Sequence, residues 1–232
     1  MSKERVKAFY TQADRLLLAV DCIIFGFAEE RLKLLLFKRK VAPFKNKWSL
    51  IGSFVNAGES VSVAAKRVLQ ESTGLTNVFM EELGCFGAHD RDPGDRVVSM
   101  AHYALIRLEE REEQLVESYQ AHWFDVDDIP ELILDHKQMV KAALEKLKRK
   151  ALYQPIGFEL LPQKFTIPQL KNLYDAIYEK KLDRRNFRKK ILASGVLKKL
   201  EEKDKSTSKK GAFLYCFDKD KYETLEVKSL SF

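Results

Sequence analysis

Hydrophobic residues run along the first half of the chain in short blocks, a pattern typical of buried β-strands. The blocks cover residues 16–27, 31–39, 77–87, 97–107 and 119–126, with polar turns between them. The longest apolar run is too short to cross a bilayer. We therefore expect several strands that share one sheet.

Two stretches change to the spacing of an amphipathic helix. Ser60 is a typical N-cap residue and Gly74 a typical C-terminal stop, so a helix is predicted between them. A second helix is predicted over residues 135–150, where Met139 and Leu147 belong to an apolar stripe. Several strands with one central helix favour a mixed α/β sandwich.

The last third of the chain has a different order of elements. Two prolines interrupt the pattern after the second helix, and we divide the chain into residues 1–152 and 153–232. Thr166 begins a capping box before one helix, Asp183 can cap another, and residues 212–217 alternate as a strand does. Helix, turn, basic helix and β-hairpin is the order of a winged helix.

Charge separates the same two regions. The chain has 232 residues, 45% hydrophobic and 32% charged, with a net charge of +7. Residues 151–232 hold 18 Lys and Arg against 11 Asp and Glu, so they carry the whole excess. Within them, residues 180–210 hold 13 basic side chains against 4 acidic ones. A neutral N-terminal region and a basic C-terminal region indicate two domains with different partners.

The basic segment predicts contact with double-stranded DNA. Arginine can grip guanine edges or neutralise phosphates, and asparagine can read adenine. The alternative is a solvated, lysine-rich face on an accessory domain. The candidate DNA-binding residues are Arg184, Arg185, Asn186, Arg188, Lys189, Lys209 and Lys210.

The cysteines and the first residues favour a cytoplasmic protein. Cys22, Cys85 and Cys216 are odd in number and far apart, which predicts reduced, buried thiols rather than disulfides or a zinc site. The first fifteen residues lack the apolar core of a signal peptide. We expect neither a membrane anchor nor a cofactor.

The segment from Ser53 to Leu75 carries a spaced motif that resembles the Nudix box. That box is a glycine, five residues, a glutamate, seven residues, then Arg-Glu-apolar-x-Glu-Glu-x-Gly-apolar. The positions that match are Glu59, Arg67, Leu69, Glu71, Gly74 and Leu75, and those that differ are Ser53, Val68 and Ser72. The alternative is that an ordinary helix matches the motif by chance, because short motifs often give false matches.

The differences fall on the catalytic part of the box. In a Nudix hydrolase three carboxylates on one helix face bind Mg²⁺, which requires hard oxygen ligands. Here those positions are Val68, Glu71 and Ser72. The resemblance therefore implies no catalytic residue, no metal site and no enzyme, while Glu59 and Arg67 are expected to pair and hold the loop against the helix. An active Mg²⁺-dependent hydrolase of ADP-ribose-like nucleotides is the alternative hypothesis.

Taken as a whole, the chain is similar to the Nudix-related transcription regulators. The matching segments are DCIIFGF, WSLIGSFV, AAKRVLQESTGL, RDPGDRVVS, PIGFELLP and LDRRNFRKK. The resemblance implies an α+β fold, a Nudix mixed sheet with helices followed by a C-terminal winged helix-turn-helix domain. It implies a homodimeric repressor that releases a palindromic operator when a small effector binds. It is strongest to the arabinose-responsive repressors of Bacteroidetes, which implies a pentose such as L-arabinose; other members respond to ADP-ribose-like nucleotides.

A polar loop between two strands, residues 89–96, is the candidate wall of the effector pocket. Asp21 interrupts an apolar strand, and is either a pocket residue or a hydrogen-bonding group at the end of the strand. The candidate effector-binding residues are Asp21, Glu71, Arg91, Asp92, Arg96 and Ser99. A nucleotide and a neutral sugar both accept hydrogen bonds from such residues, so the sequence leaves the two effectors open.

Overall fold

A computed structural model describes residues 11–76, 78–108, 117–153, 156, 160–205, 210–218 and 220–221. The strands of the first sheet are β1 (Leu17–Ala28), β2 (Arg31–Lys38), β3 (Trp48–Ser49), β4 (Ile51–Phe54), β5 (Met80–Phe86), β6 (Val97–Arg107) and β7 (Ala121–Asp125). The helices are α1 (Val61–Thr73), α2 (His136–Tyr153), α3 (Ile167–Tyr178) and α4 (Arg184–Ala193). A second sheet contains β8 (Phe165–Thr166), β9 (Leu197–Asp204) and β10 (Ala212–Phe217).

The apolar blocks form strands of one sheet, as predicted, and this sheet is mixed. Its order is β3-β2-β1-β6-β5, with β4 also pairing β1 and β7 also pairing β2. The central pair, β1 and β6, is parallel, whereas the other pairs are antiparallel. Because β1 is central and nearly all buried, polar side chains on it face the protein interior.

Helix α1 begins and ends where its caps predict. The Ser60 hydroxyl accepts a hydrogen bond from the Val63 amide, and Gly74 closes the helix with φ of 72°. Ala64, Ala65 and Val68 are buried against one face of the sheet. The small residues let the helix lie close to the strands, so the box segment is a structural part of the core.

Helix α2 covers the opposite face of the sheet and continues into the C-terminal domain. Its buried stripe includes Met139, Ala143 and Leu147, which join one hydrophobic cluster with Phe25 from the sheet and Leu170 from α3. The two domains therefore share a continuous core. No helix in the described ranges is both long and apolar enough to cross a membrane.

The C-terminal domain has the predicted winged-helix order. Thr166 and Gln169 form a capping box for α3, and the Asp183 carboxylate accepts a hydrogen bond from the Asn186 amide at the start of α4. Phe187 is buried on one face of α4. The hairpin of β9 and β10 follows the helices, and β8 pairs with β10 at the edge away from β9. The predicted fold class, a Nudix sheet followed by a winged helix, is confirmed.

The cysteines are only partly as predicted. All three are free, which agrees with reduced thiols. Cys22 is buried on the central strand, and burial raises the pKa of its thiol far above its usual range. Cys85, in contrast, is exposed, because β5 is at the edge of the sheet.

Candidate effector cavity and DNA-facing helix

A cavity of about 500 Å³ opens between the central strands, the segment after β2 and the start of α2. It is larger than a single water site and falls in the usual range for small-molecule pockets. Its polar lining includes Asp21, Arg39, Arg91, Asp92 and His136. Its outer part includes the exposed apolar residues Leu17, Val41 and Phe54. The cavity thus has a polar floor and a partly apolar mouth.

Asp21 is at the centre of the polar floor. It lies within β1, opposite Gly52 of β4 and Ala101 of β6, and it is only 6% exposed. The Ser99 hydroxyl donates a hydrogen bond to its Oδ2 at 2.6 Å. A guanidinium nitrogen of Arg91 lies 3.5 Å from the same oxygen. Asp21 is therefore a pocket residue, and not a group at the end of the strand.

The Asp21 side chain occupies space that is open because residue 52 is glycine. A Cβ atom built on Gly52 would lie 2.1 Å from Asp21 Oδ1 and 2.9 Å from the Val20 carbonyl oxygen. Both distances are shorter than real carbon–oxygen contacts. Any other residue at position 52 would displace the carboxylate from its place in the cavity.

Arg91 is fixed by a second carboxylate. Its Nε and NH2 atoms donate to the two oxygens of Asp135 at 2.9 and 2.8 Å, the bidentate geometry of a strong ion pair. Burial opposes the charge on Arg91, yet the hydrogen bonds and charge of Asp135 outweigh it and raise the pKa of the guanidinium. Arg91 therefore remains charged inside the protein, but most of its charge is neutralised by protein groups.

His136 completes the polar cluster at the start of α2. Its Nδ1 accepts a hydrogen bond from the Leu50 amide at 3.1 Å, so the proton of the neutral ring is on Nε2. That Nε2 atom lies 3.6 Å from Asp21 Oδ1. Burial lowers the pKa of His136 below its ordinary value, and this favours the neutral ring. The imidazole can therefore act as a hydrogen-bond donor at the cavity floor.

The structure brings together four of the six predicted effector residues. Asp21, Arg91 and Asp92 line the cavity, and Ser99 donates a hydrogen bond to Asp21. Arg96 instead donates hydrogen bonds to the carbonyl oxygens of Gly87 and Ala88, and so stabilises the loop that joins β5 to β6. Glu71 is on α1, where Arg67 holds its carboxylate at 3.0 Å. Neither Arg96 nor Glu71 is among the residues that line the cavity.

The box residues form a separate structural cluster. Arg67 donates to both oxygens of Glu59, at 3.0 and 2.7 Å, and to the Phe54 carbonyl oxygen, as the expected loop-to-helix pair. The hydrogen bonds of Arg67 hold the pKa of Glu59 at about 2. Val68, at the first metal-ligand position, is buried in the core. Val68 and Ser72 therefore place no carboxylate at two of the three metal-ligand positions of the box, and no group of three or more His, Cys, Asp or Glu that could hold a metal ion occurs among the described residues.

Two residues of the polar cluster, one that lines the cavity and one that binds Arg91, were not predicted from the sequence. Asp135 and His136 come directly before and at the start of α2, whose apolar stripe predicted a structural helix. Their signal was an acid and a histidine together at a helix start. That signal is weak, because an acid there is also an ordinary helix cap.

The predicted DNA-binding residues of α4 share an exposed face. Arg184, Arg185, Asn186, Arg188 and Lys189 are all exposed, while Phe187 and Ile191 face the core. Within the described part of the chain, none of the basic side chains on this face lies within ion-pair distance of a carboxylate. Lys210 is exposed in the wing, and Lys209 lies outside the described residues.

A Nudix-type sheet and box helix, joined to a winged helix with an exposed basic face, define a small-molecule-binding domain fused to a DNA-binding domain. Residues 15–143 match the NUDIX domain family, and residues 157–217 match the NrtR DNA-binding winged helix domain family. The chain belongs to the Nudix-domain transcriptional repressors of the NrtR type.

Individual relatives agree with this assignment. The chain is 30% identical over 211 residues to the ADPR responsive transcriptional repressor NtrR of Acinetobacter baylyi, covering 89% of this chain and 84% of that protein. It is also similar to the crystal structure of Shewanella oneidensis NrtR complexed with a 27mer DNA. That match has a TM-score of 0.79 and 27% identity, and covers 89% of this chain and 95% of the other.

An enzyme is also among the relatives of the first domain. The ADP-ribose pyrophosphatase of Methanocaldococcus jannaschii is 34% identical over 140 residues, which cover 60% of this chain and 82% of that protein. A match of 140 residues is too short to span both domains. Similarity in this domain alone therefore does not separate a sensor from a hydrolase.

Proposed function

We propose that this protein is a ligand-gated repressor in which a small effector enters the Asp21 cavity and weakens operator binding by α4. We further propose that it acts as a cytoplasmic homodimer, with a boundary between its two domains near residue 152. In a dimer on a palindromic operator, two recognition helices meet successive major grooves about 34 Å apart. A modest change in their relative position is then enough to break one set of contacts.

The observation that carries this proposal is the position of helix α2. Its start holds His136 in the cavity, directly after Asp135, which binds Arg91. About 18 Å further along the helix, Lys148 pairs with Glu179 of the winged helix at 3.2 Å. One rigid helix therefore contacts both the cavity and the DNA-binding domain. An effector that shifts the start of α2 can therefore also shift the winged helix, which contains α4.

The charges around the cavity favour a neutral, hydroxyl-rich effector such as a pentose. Asp21, Asp92 and Asp95 contribute three carboxylates to the lining, while Arg91 is already paired with Asp135. A diphosphate would bring two more negative charges to a lining with little spare positive charge. A sugar needs only hydrogen-bonding partners, which the carboxylates, His136 and Arg39 supply. We therefore propose a pentose such as L-arabinose as the effector.

An ADP-ribose-like nucleotide is the second candidate. It is favoured by the similarity to the ADPR responsive repressor of Acinetobacter baylyi. The apolar mouth of the cavity, with Phe54 and Val41, would suit an adenine ring. A thermal-shift series that compares L-arabinose, D-xylose and ADP-ribose separates the candidates, because a specific ligand raises stability by mass action. A shift with ADP-ribose and none with either pentose would contradict the pentose proposal.

We also propose that the protein does not hydrolyse ADP-ribose. Val68 and Ser72 supply no carboxylates, and Arg67 holds both Glu59 and Glu71. The alternative hydrolase function is tested by turnover of ADP-ribose with Mg²⁺, using Glu71→Gln as the matched control. Turnover well above that control would overturn the proposal.

The coupling itself is tested by titrating the effector with and without operator DNA. If the effector weakens DNA binding, operator DNA must weaken effector binding by the same factor, since linkage is reciprocal. Equal effector affinities in the two titrations would leave the domains uncoupled. The repressor would then bind both ligands without being regulated by the effector.

A further inference from the structure

Two lysines of the wing hairpin lie over the same aromatic ring. The Nζ atom of Lys199 is 3.7 Å from the centroid of the Phe213 ring, and that of Lys203 is 4.5 Å from it. The two ammonium groups are therefore no more than about 8 Å apart. A cation over an aromatic face is attracted by the ring quadrupole, so Phe213 holds both positive charges in one place.

An irregularity in the hairpin produces this arrangement. Lys203 pairs with Phe213 and Lys199 pairs with Tyr215, and directly opposed residues of antiparallel strands point to the same face. Between these two pairs, β9 has three residues where β10 has only Leu214. The extra residues bend β9, as a bulge does, and allow lysines four positions apart to share one ring.

Nearby acids do not neutralise the pair. Glu202, in the bulge, is held by both of its oxygens to Lys164, at 2.7 and 2.8 Å. Within the residues that the structure describes, no carboxylate lies within ion-pair distance of Lys199 or Lys203. Both lysines are exposed. Like charges held this close repel each other, and that repulsion is relieved when an anion binds beside them.

We propose that Lys199 and Lys203, positioned by Phe213, form a phosphate-binding site for the DNA backbone on the wing. This inference rests on the proposed DNA-binding function, and it adds residues beyond the recognition helix and beyond Lys209 and Lys210. The contact is to phosphate and not to bases, because lysine supplies a point charge without a fixed pattern of donors. The site increases affinity for any DNA sequence and leaves the choice of sequence to α4.

The test is the salt dependence of DNA binding by the full chain. A mixed-sequence duplex of about 30 base pairs serves as the probe, since phosphate contacts dominate binding to such DNA. Lys199→Ala and Lys203→Ala should each reduce the slope of log affinity against log salt by about one. Lys198→Ala is the matched control, because it removes the same charge from the same strand, one residue away from Lys199. Its slope should stay closer to that of the wild type.

A further variant tests the role of the ring. Phe213→Leu keeps an apolar side chain but removes the quadrupole, so it should weaken DNA binding by about two- to fivefold, with both lysines still present. Its thermal unfolding, measured in parallel, separates this effect from loss of the fold. If the domain is unstable, Phe213→Tyr provides the rescue, because it keeps the ring and should restore binding.

The outcomes distinguish this inference from the proposed function. If Arg188→Ala weakens binding while both lysine variants keep the wild-type slope, the wing site is wrong and the recognition helix stands. If Phe213→Leu binds as tightly as the wild type, the ring does not position the lysines. If the wild type itself does not bind DNA, the proposed function fails, and the wing site fails with it.

Discussion

The charged groups of the effector cavity and those of the recognition helix are held in opposite ways. In the cavity, Arg91 has a bidentate partner and its side chain is only 2% exposed. On α4, Arg184, Arg185 and Arg188 are exposed, with no carboxylate close enough to pair among the described residues. Paired, buried charges fix a shape, whereas free, exposed charges are available to a partner. The two regions therefore need different experiments, one on folding and one on binding.

The comparison also explains why the charged side chains are fixed in position in the cavity but adjustable on α4. A buried carboxylate such as Asp21 must have partners, because an unpaired buried charge is strongly unfavourable. Its position is consequently set by Ser99, Arg91 and His136 together. The arginines of α4 have no such restriction and can adjust to DNA. The cavity is preorganised, and the helix is adaptable.

The largest effect is expected from breaking the buried ion pair. Asp135→Ala leaves Arg91 without its bidentate partner and should lower the free energy of unfolding by about 3 kcal/mol or more. Urea unfolding measures the change. The matched control is Glu202→Ala, which breaks an exposed pair with Lys164 and should change stability by less than about 1 kcal/mol. Equal losses of unfolding free energy in the two variants would contradict the larger contribution expected from the buried ion pair.

A smaller loss of stability, with loss of effector binding, is expected from Gly52→Ala. The added Cβ atom meets Asp21 Oδ1 at 2.1 Å, so the strand or the carboxylate must move, at about 1–3 kcal/mol. Gly58→Ala is the control, because nothing lies within 4 Å of its Cβ position. Calorimetric titration with the effector measures the binding loss. Unchanged effector affinity in Gly52→Ala would show that Asp21 is not part of the site.

Arg188→Ala should give the opposite pattern. It should weaken operator binding by about 1–3 kcal/mol if Arg188 reads a base. The free energy of unfolding should change by no more than about 0.5 kcal/mol, because the side chain is exposed and has no ion-pair partner among the described residues. Lys137→Ala, an exposed basic residue at the start of α2, controls for the loss of one positive charge. An Arg188→Ala protein that binds the operator normally across a salt series would exclude this contact.

The smallest effect is expected for the box residue Glu59 at low pH. Its pKa is lowered from 4.5 to about 2 by Arg67, so its stabilising contribution is fully present above pH 4.5. That contribution is lost as pH falls from about 4.5 towards 2, where the folded protein must also take up the proton. Glu59→Gln should therefore be less stable than the wild type at pH 5, with a smaller difference at pH 3. A difference that does not change with pH would contradict this assignment.

Much of the molecule was determined by the sequence alone, because local signals and burial patterns acted together. Ser60 and Gly74 set the ends of α1, and Thr166 and Asp183 set the starts of α3 and α4. The apolar blocks predicted the sheet, and the concentration of basic residues over 180–210 predicted the basic segment that contains α4. These features depend on neighbours within a few residues, which a sequence displays directly.

Only the tertiary structure decided which polar residues meet. Asp21, Arg91 and His136 are far apart in the chain, and they join because β1, the loop before β6 and the start of α2 converge on one cavity. Glu71 fits the same residue chemistry, but its helix directs it to Arg67 instead. The shared ring of Lys199 and Lys203 likewise depends on a register shift in the hairpin. Long-range register and packing fix such contacts, and no local pattern of residues encodes them.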